Sequence, residues 1–146
     1  MHWNSPSNQK RLKRLFEEGI TAMDVAEPLV SFDAEQPAPA VRSLLEKKDF
    51  DLVGVRRHGA VCGYARRAEL GQGTLGDHLH SFTPDDLVTD TDSLQGVIQS
   101  LGVNGRCFVT VLGEVGAIVT LSDLEKPPVR MFLFGMITIF EMLVTR

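Results

Sequence analysis

Apolar positions along the chain change rhythm several times, and each change predicts an element. From Gln9 to Glu18, Leu12, Leu15 and Phe16 recur at helical spacing, Lys and Arg fill the other positions, and Gly19 follows as a stop. A short amphipathic helix is expected there. Its basic run KRLKR reads as a solvated helix face, because Glu17 and Glu18 follow at once. Beyond it, the chain makes one series of patterns twice. Short apolar strands are expected at Leu29 to Phe32 and again at Leu87 to Thr89. Helical spacing follows around Pro39 to Lys47 and Ser93 to Leu101. Hairpins come next. Leu52 to Arg56 and Ala60 to Ala65 turn at His58-Gly59, and Cys107 to Leu112 and Val115 to Val119 turn at Gly113-Glu114. Each pass closes on a short helix, before Gly71 or before Pro127.

A β-α-β-β-α unit of this size leaves one apolar sheet face that it cannot bury alone. Two units packed face to face can bury both, which predicts an α+β architecture with pseudo-twofold symmetry and a cleft between the halves. The expected organisation is an N-terminal helix (1–19), a first repeat (20–72), a connector (73–86), a second repeat (87–126) and an apolar C-terminal helix (127–146). The connector carries the turn signal Thr83-Pro84-Asp85-Asp86.

The last segment, VRMFLFGMITIFEMLV from Val129 to Val144, is apolar almost all round. It is shorter than the ~20 apolar residues of a membrane span, and Glu141 would be costly in hydrocarbon. Peripheral membrane helices carry a rich basic face, which this one lacks. A helix buried against protein is therefore expected, and its outer face suits a homodimer or a protein partner.

With 146 residues, 43% of them hydrophobic, the chain suffices for one real core. A formal net charge of −4 argues against a nucleic-acid binder. Cys62 and Cys107 lie in apolar runs without Cys-x-x-Cys spacing, so reduced core thiols are expected. No run of signal-peptide length opens the chain, which makes a cytoplasmic setting the expectation. No Walker loop, G-x-S-x-G or H-E-x-x-H appears, and an enzyme is not expected. His78 and His80 form an H-x-H with no evident third ligand, so no metal is assigned. Arg56, Arg57 and His58 read as a solvated turn, with reach to a phosphate as the alternative.

The most informative stretch is GAIVTLSDL, Gly116 to Leu124. An apolar strand runs into Thr120, and Asp123 follows three positions later, at the third position of a new helix. Alone, Thr-x-x-Asp is a helix cap. A carboxylate at a helix start can also accept both hydroxyls of a ribose, and free backbone N–H groups there suit a phosphate. The matching stretch of the first pass, Gly63-Tyr64-Ala65-Arg66-Arg67-Ala68-Glu69-Leu70, has Arg66 in place of the Thr and Glu69 in place of the Asp. Arginine has donors only and cannot cap by accepting.

Two tandem repeats, each closing on this motif in register, resemble the CBS-domain pair, or Bateman module, over about residues 20 to 126. The resemblance implies a non-enzymatic sensor that binds AMP, ADP, ATP or S-adenosylmethionine between the repeats, forms a homodimer and signals to a partner. It implies that Asp123 receives ribose hydroxyls, that Thr120 lies near the phosphates, and that Leu87, Val88, Cys107 and Phe108 flank the adenine. The weaker first site would use Arg66 and Glu69. There, either the ribose pocket is lost, or Arg66 and Arg67 add positive charge for phosphates. The rival reading is a ligand-free interaction module working through residues 129–146.

Overall fold

The computed structural model describes residues 6–144. Helix α1 spans Pro6–Glu18, and the side chains of Leu12, Leu15 and Phe16, expected to share one of its faces, lie outside the described residues. After it come α2 (Ala22–Val25), β1 (Glu27–Pro28), β2 (Ser31–Asp33), α3 (Ala38–Lys48), β3 (Leu52–Arg57), β4 (Ala60–Arg66) and β5 (His80–Ser81). The second pass contributes β6 (Leu87–Thr89), α4 (Leu94–Asn104), β7 (Arg106–Val111) and β8 (Glu114–Thr120), and α5 (Pro127–Val144) ends the fold. The closing helices are single 3-10 turns, Arg67–Glu69 and Leu121–Glu125. Pro127 and Pro128 then restart the chain as α5, where a missing N–H costs nothing.

The strands form two four-stranded sheets, ordered β2-β3-β4-β5 and β1-β8-β7-β6. In each, a short strand pairs parallel with the first arm of a hairpin: β2 with β3, and β6 with β7. Both hairpins carry a register shift at the matching place, between Val55 and Arg56 and between Val109 and Thr110. Both turn on two left-handed residues. His58 and Gly59 have φ of 54° and 81°, and Leu112 and Gly113 have 53° and 84°. The second turn therefore lies one residue earlier than the pattern suggested. Leu112 is not a turn-forming type, but it stands 99% exposed, and the glycine after it eases the tight reversal.

The lead-in of each pass completes the sheet of the other. Strand β5, which precedes the second pass, pairs with β4, whereas β1, which precedes the first, pairs with β8. The crossing takes one step. Leu29 N–H donates to Gly116 O in the second sheet, and Val30 O accepts from Gly54 N–H in the first. That is why, of the strand expected over Leu29 to Phe32, only Ser31 and Phe32 lie in β2, with Leu29 and Val30 forming the crossing from β1. Matching hydrogen bonds tie the lead-ins down: Ala22 N–H to Asp92 O, and Leu75 N–H to Gln36 O.

Alternation sorts the side chains. Val53, Val55 and Ala65 pack with Val41 and Leu45 of α3, and Cys107, Val109, Ala117 and Val119 pack with Val97 and Leu101 of α4 and with Val129 and Phe132 of α5. The opposite sheet faces meet each other through Tyr64, Phe108 and Val115, with Leu29, Leu52, Phe82, Leu87 and Ile118 around them. Phe108 is wholly buried there, its ring centroid 5.1 Å from that of Tyr64 and 4.7 Å from that of Phe82.

Gly63 sits where β5 crosses β4. A Cβ built there would lie 2.3 Å from the His80 carbonyl oxygen and 2.4 Å from Leu79 Cδ1. Gly63→Val is expected to push β5 off its sheet and to cost about 1–3 kcal/mol, as overpacking does. Urea denaturation checks this; a loss no greater than that of Gly116→Val, where the added atom meets open space, would contradict it.

Candidate functional site

The stretch that ends β8 forms a corner. Thr120 closes the strand in extended conformation, and the five-residue turn Leu121–Glu125 starts beneath it. Asp123 Oδ2 accepts the Thr120 backbone N–H at 2.8 Å and its hydroxyl at 3.4 Å. The hydroxyl also lies 2.8 Å from Ser122 Oγ. The acid thus reaches back to cap the strand end, and the threonine hydroxyl donates to it.

Asp123 is only 6% exposed, so its charge needs compensation. Lys126 supplies it, with Nζ 3.0 Å from Asp123 Oδ1. The same ammonium donates to Val25 O at 2.8 Å and pairs with Glu27, fastening the first lead-in to the second half. Partial burial disfavours the Lys126 charge, but the hydrogen bonds to Glu27 and Asp123 outweigh it and hold the ammonium above its ordinary 10.5.

This Thr-x-x-Asp arrangement is not unique to the corner. Thr21–Asp24, Thr74–Asp77, Thr83–Asp86 and Thr89–Asp92 repeat the same backbone-to-carboxylate bond at 2.8 to 3.1 Å. All five pairs are visible as T-x-x-D in the chain, so the motif by itself marks a cap. Burial sets two apart: Asp123 and Asp86 are the buried acids among the described residues.

The four residues assigned to the adenine divide between two faces. Leu87 and Phe108 are partners across β6–β7 and look toward the first half. Val88 and Cys107 look the other way, into the core beneath α4 and α5. Burial, helped by the Asp123 charge, pushes the Cys107 thiol up to about 11, so it stays protonated as a core residue.

Arg106 is the residue at this corner that the sequence reading missed. It is the rung partner of Thr120 across β7–β8, and directly opposite residues share a sheet face. That face is the one turned toward the first half. Arg106 Nη2 donates to Tyr64 Oη at 2.7 Å, and its guanidinium carbon lies 4.9 Å from the Tyr64 ring centroid. Its Nε–H is buried and has no acceptor among the described residues. The signal in the sequence was a lone arginine opening an otherwise apolar strand.

The first corner is built differently. Arg66 and Glu69 are both exposed and only 3.8 Å apart. Glu69 turns instead to His80 on β5, with Oε2 2.9 Å from Nε2, and the imidazole stacks on Tyr64 at 5.2 Å. The His80 hydrogen bond holds the Glu69 carboxyl below its ordinary 4.5 against desolvation, with Arg66 and His78 adding to it. His78 lies 2.7 Å from the Gln72 carbonyl, so the H-x-H histidines serve separate partners. Arg67 pairs with Asp51 at 3.1 Å. In the nearby hairpin, Arg56 lies 3.6 Å from Asp33.

No protein-family model matches the chain, and no curated protein matches it. Solved structures do. The CBS domain of the bacterial CNNM/CorC family Mg2+ transporter is 17% identical over 84% of this chain and 83% of that one, with a TM-score of 0.62. The same domain in complex with ATP gives 16% identity, 88% and 96% coverage, and a TM-score of 0.62. A putative acetoin utilization protein (AcuB) from Vibrio cholerae gives 14% identity, 84% and 96% coverage, and a TM-score of 0.63. The two halves therefore have the fold of a tandem CBS pair, as the repeat implied. No helix among the described residues is long and apolar enough to cross a membrane.

Two outcomes follow from the two corners. Asp123→Ala is expected to cost about 2 kcal/mol, the upper end for a lost cap, and the exposed Asp24→Ala about 1 kcal/mol or less. Equal losses in denaturant melts would show that burial and Lys126 add nothing. His80→Ala should return the Glu69 carboxyl toward 4.5, read by NMR titration. Because its folded value is depressed, the stabilisation from Glu69 is complete above pH 4.5 and fades as pH falls through that depressed value. An unmoved Glu69 titration in the variant would remove His80 as the cause.

Proposed function

We propose that this chain is a non-enzymatic regulatory module that takes an adenosine compound at the second corner and reports its occupancy to a partner in the cytoplasm. The observation that carries the reading is that Arg106 and Asp123 are both set against Thr120, one as its rung partner and the other as the acceptor of its N–H. Arg106 brings a buried, unsatisfied Nε–H on the same rung as Thr120. Asp123 brings a carboxylate held in place from both sides by Thr120 and Lys126. Ionised carboxylates have about four acceptor positions, so one already engaged can still receive a ribose hydroxyl. In this reading Asp123 takes the ribose, and Thr120 and Arg106 take the phosphates. Leu87 flanks the adenine with its side chain, and Val88, Cys107 and Phe108, whose side chains are buried, contribute backbone. The ATP complex of a protein with this fold supports a nucleotide; ADP, AMP and S-adenosylmethionine share the same adenosine. The first corner takes no part, because Glu69 is committed to His80 and Arg66.

A second reading has its own support. Four of the five Thr-x-x-Asp pairs work as helix caps and the fifth, Thr89–Asp92, closes a turn, while α5 exposes Phe134 and Phe140, as a module that binds protein alone would do.

Thermal melting separates the two. At a hundredfold excess over Kd, a bound nucleotide adds about 2.7 kcal/mol of stability, which raises Tm by about 5–10 °C in a domain this size. One of ATP, ADP, AMP and S-adenosylmethionine should produce that rise. Asp123→Asn keeps an acceptor for the Thr120 N–H and should lose the rise, as should Arg106→Ala. No response to any of the four compounds favours the interaction module. A rise that survives both substitutions places the ligand elsewhere.

A further inference from the structure

We infer, on the nucleotide reading of the second corner, that Tyr64 is the positioning residue for Arg106 and that, through it, the charge on His80 sets how tightly the nucleotide is held. Tyr64 belongs to the first half and is buried. Its ring packs against those of Phe108, Phe82 and His80, with centroids 5.1, 6.0 and 5.2 Å away. A ring held on that many sides cannot swing, so its hydroxyl is a fixed post. Arg106 Nη2 donates to it at 2.7 Å, whereas the bond from Nη1 to Asn104 O is long, at 3.4 Å. A guanidinium carries five N–H donors, so these two bonds leave others for a phosphate. Tyr64 therefore aims the arginine without using it up.

The same ring carries a group whose charge can change. His80 is the rung partner of Tyr64 across β4–β5 and stacks on it. Histidine is the side chain that gains and loses its charge between about pH 5 and 8. Around it stand Glu69, 2.9 Å from Nε2 on the turn after β4, Arg66, which pairs with Glu69, and His78, which is bonded to the Gln72 carbonyl. From the second half, Arg106 lies over the Tyr64 ring. Glu69 stays ionised across that range, because the His80 bond holds its carboxyl below 4.5. An imidazolium and a guanidinium on one ring repel each other. A phosphate on Arg106 cancels the repulsion and attracts the imidazolium, so both effects favour protonated His80 in the bound state. Linkage makes this reciprocal, and protonation of His80 tightens the nucleotide. Glu69 offsets part of the imidazolium charge, which keeps the effect to a few-fold.

Calorimetric titration of the full chain with ATP, and separately with AMP, at about pH 5.5 and about pH 8 tests this, with circular dichroism melts of each variant as the folding control. Ionisation of the nucleotide itself is common to every chain, so the ratio of the two Kd values is compared between chains. Lowering the pH should tighten binding about threefold more in the parent than in His80→Gln. Tyr64→Phe keeps the ring and removes only the hydroxyl. It should weaken binding about three- to tenfold, the worth of one hydrogen bond, and bring the pH ratio to that of His80→Gln. Without nucleotide, the Arg106 Nε–H signal in NMR should move with the His80 titration in the parent and stay still in Tyr64→Phe. The His80→Gln comparison decides the matter even if Tyr64→Phe folds poorly. Equal pH ratios in the parent and His80→Gln, undiminished binding in Tyr64→Phe, or an Arg106 signal that ignores His80 would each overturn the link, while binding of either compound leaves the nucleotide reading in place. A parent chain that binds neither ATP nor AMP overturns both.

Discussion

Everything in this fold depends on one contact between two sheets. A short four-stranded sheet covered by a helix on one side still exposes its other apolar face. The answer here is to turn those faces inward against each other. Phe108 takes the centre, wholly buried, with Tyr64 and Phe82 against its ring. Aromatic contacts of this kind add about 0.5–1.5 kcal/mol each beyond the area they bury. Arg106 ends the aromatic group by donating to Tyr64 Oη from the other half. The same rung that seals the interface therefore places a cation at its rim, beside the strand end that carries Thr120. Packing and chemistry are not separable at that point.

The buried acid illustrates how such a site is kept stable. A carboxylate that is 6% exposed would be untenable alone. Asp123 is accommodated there because a backbone N–H reaches its Oδ2 and a lysine its Oδ1. Lys126 in turn is held by Glu27, the first residue of β1, and by the Val25 carbonyl at the end of α2. The corner is therefore braced by residues about a hundred positions away in sequence.

Repetition made the fold legible. The hairpins, the helix of each repeat and their order all followed from apolar spacing, because half-buried strands and amphipathic helices impose periods that the chain must obey. The capping role of Asp123 was legible as well, being local. What sequence spacing could not carry was contact between distant segments. The crossing at Leu29 and Val30 depends on hydrogen bonds to two different sheets, and nothing in the residues themselves marks it. Arg106 and Lys126 look like ordinary surface charges until Tyr64 and Glu27 arrive beside them. The turn at Leu112 was hidden for another reason: an exposed leucine in left-handed conformation runs against its own preference.

The exchange of lead-in strands also sets which pairing has a long loop to close. All four strands of the first sheet come from one unbroken stretch, Ser31 to Ser81. The second sheet is interrupted, because β1 lies before that stretch and its three companions after it. Bringing β1 to β8 thus means closing a long loop, an entropic cost that grows with the number of free residues. Once the intervening stretch has condensed, most of those residues are no longer free, and the gap to be closed is a short one. The chain is arranged as an insert within a host, with the first sheet contributed by one contiguous stretch and the second closed around it.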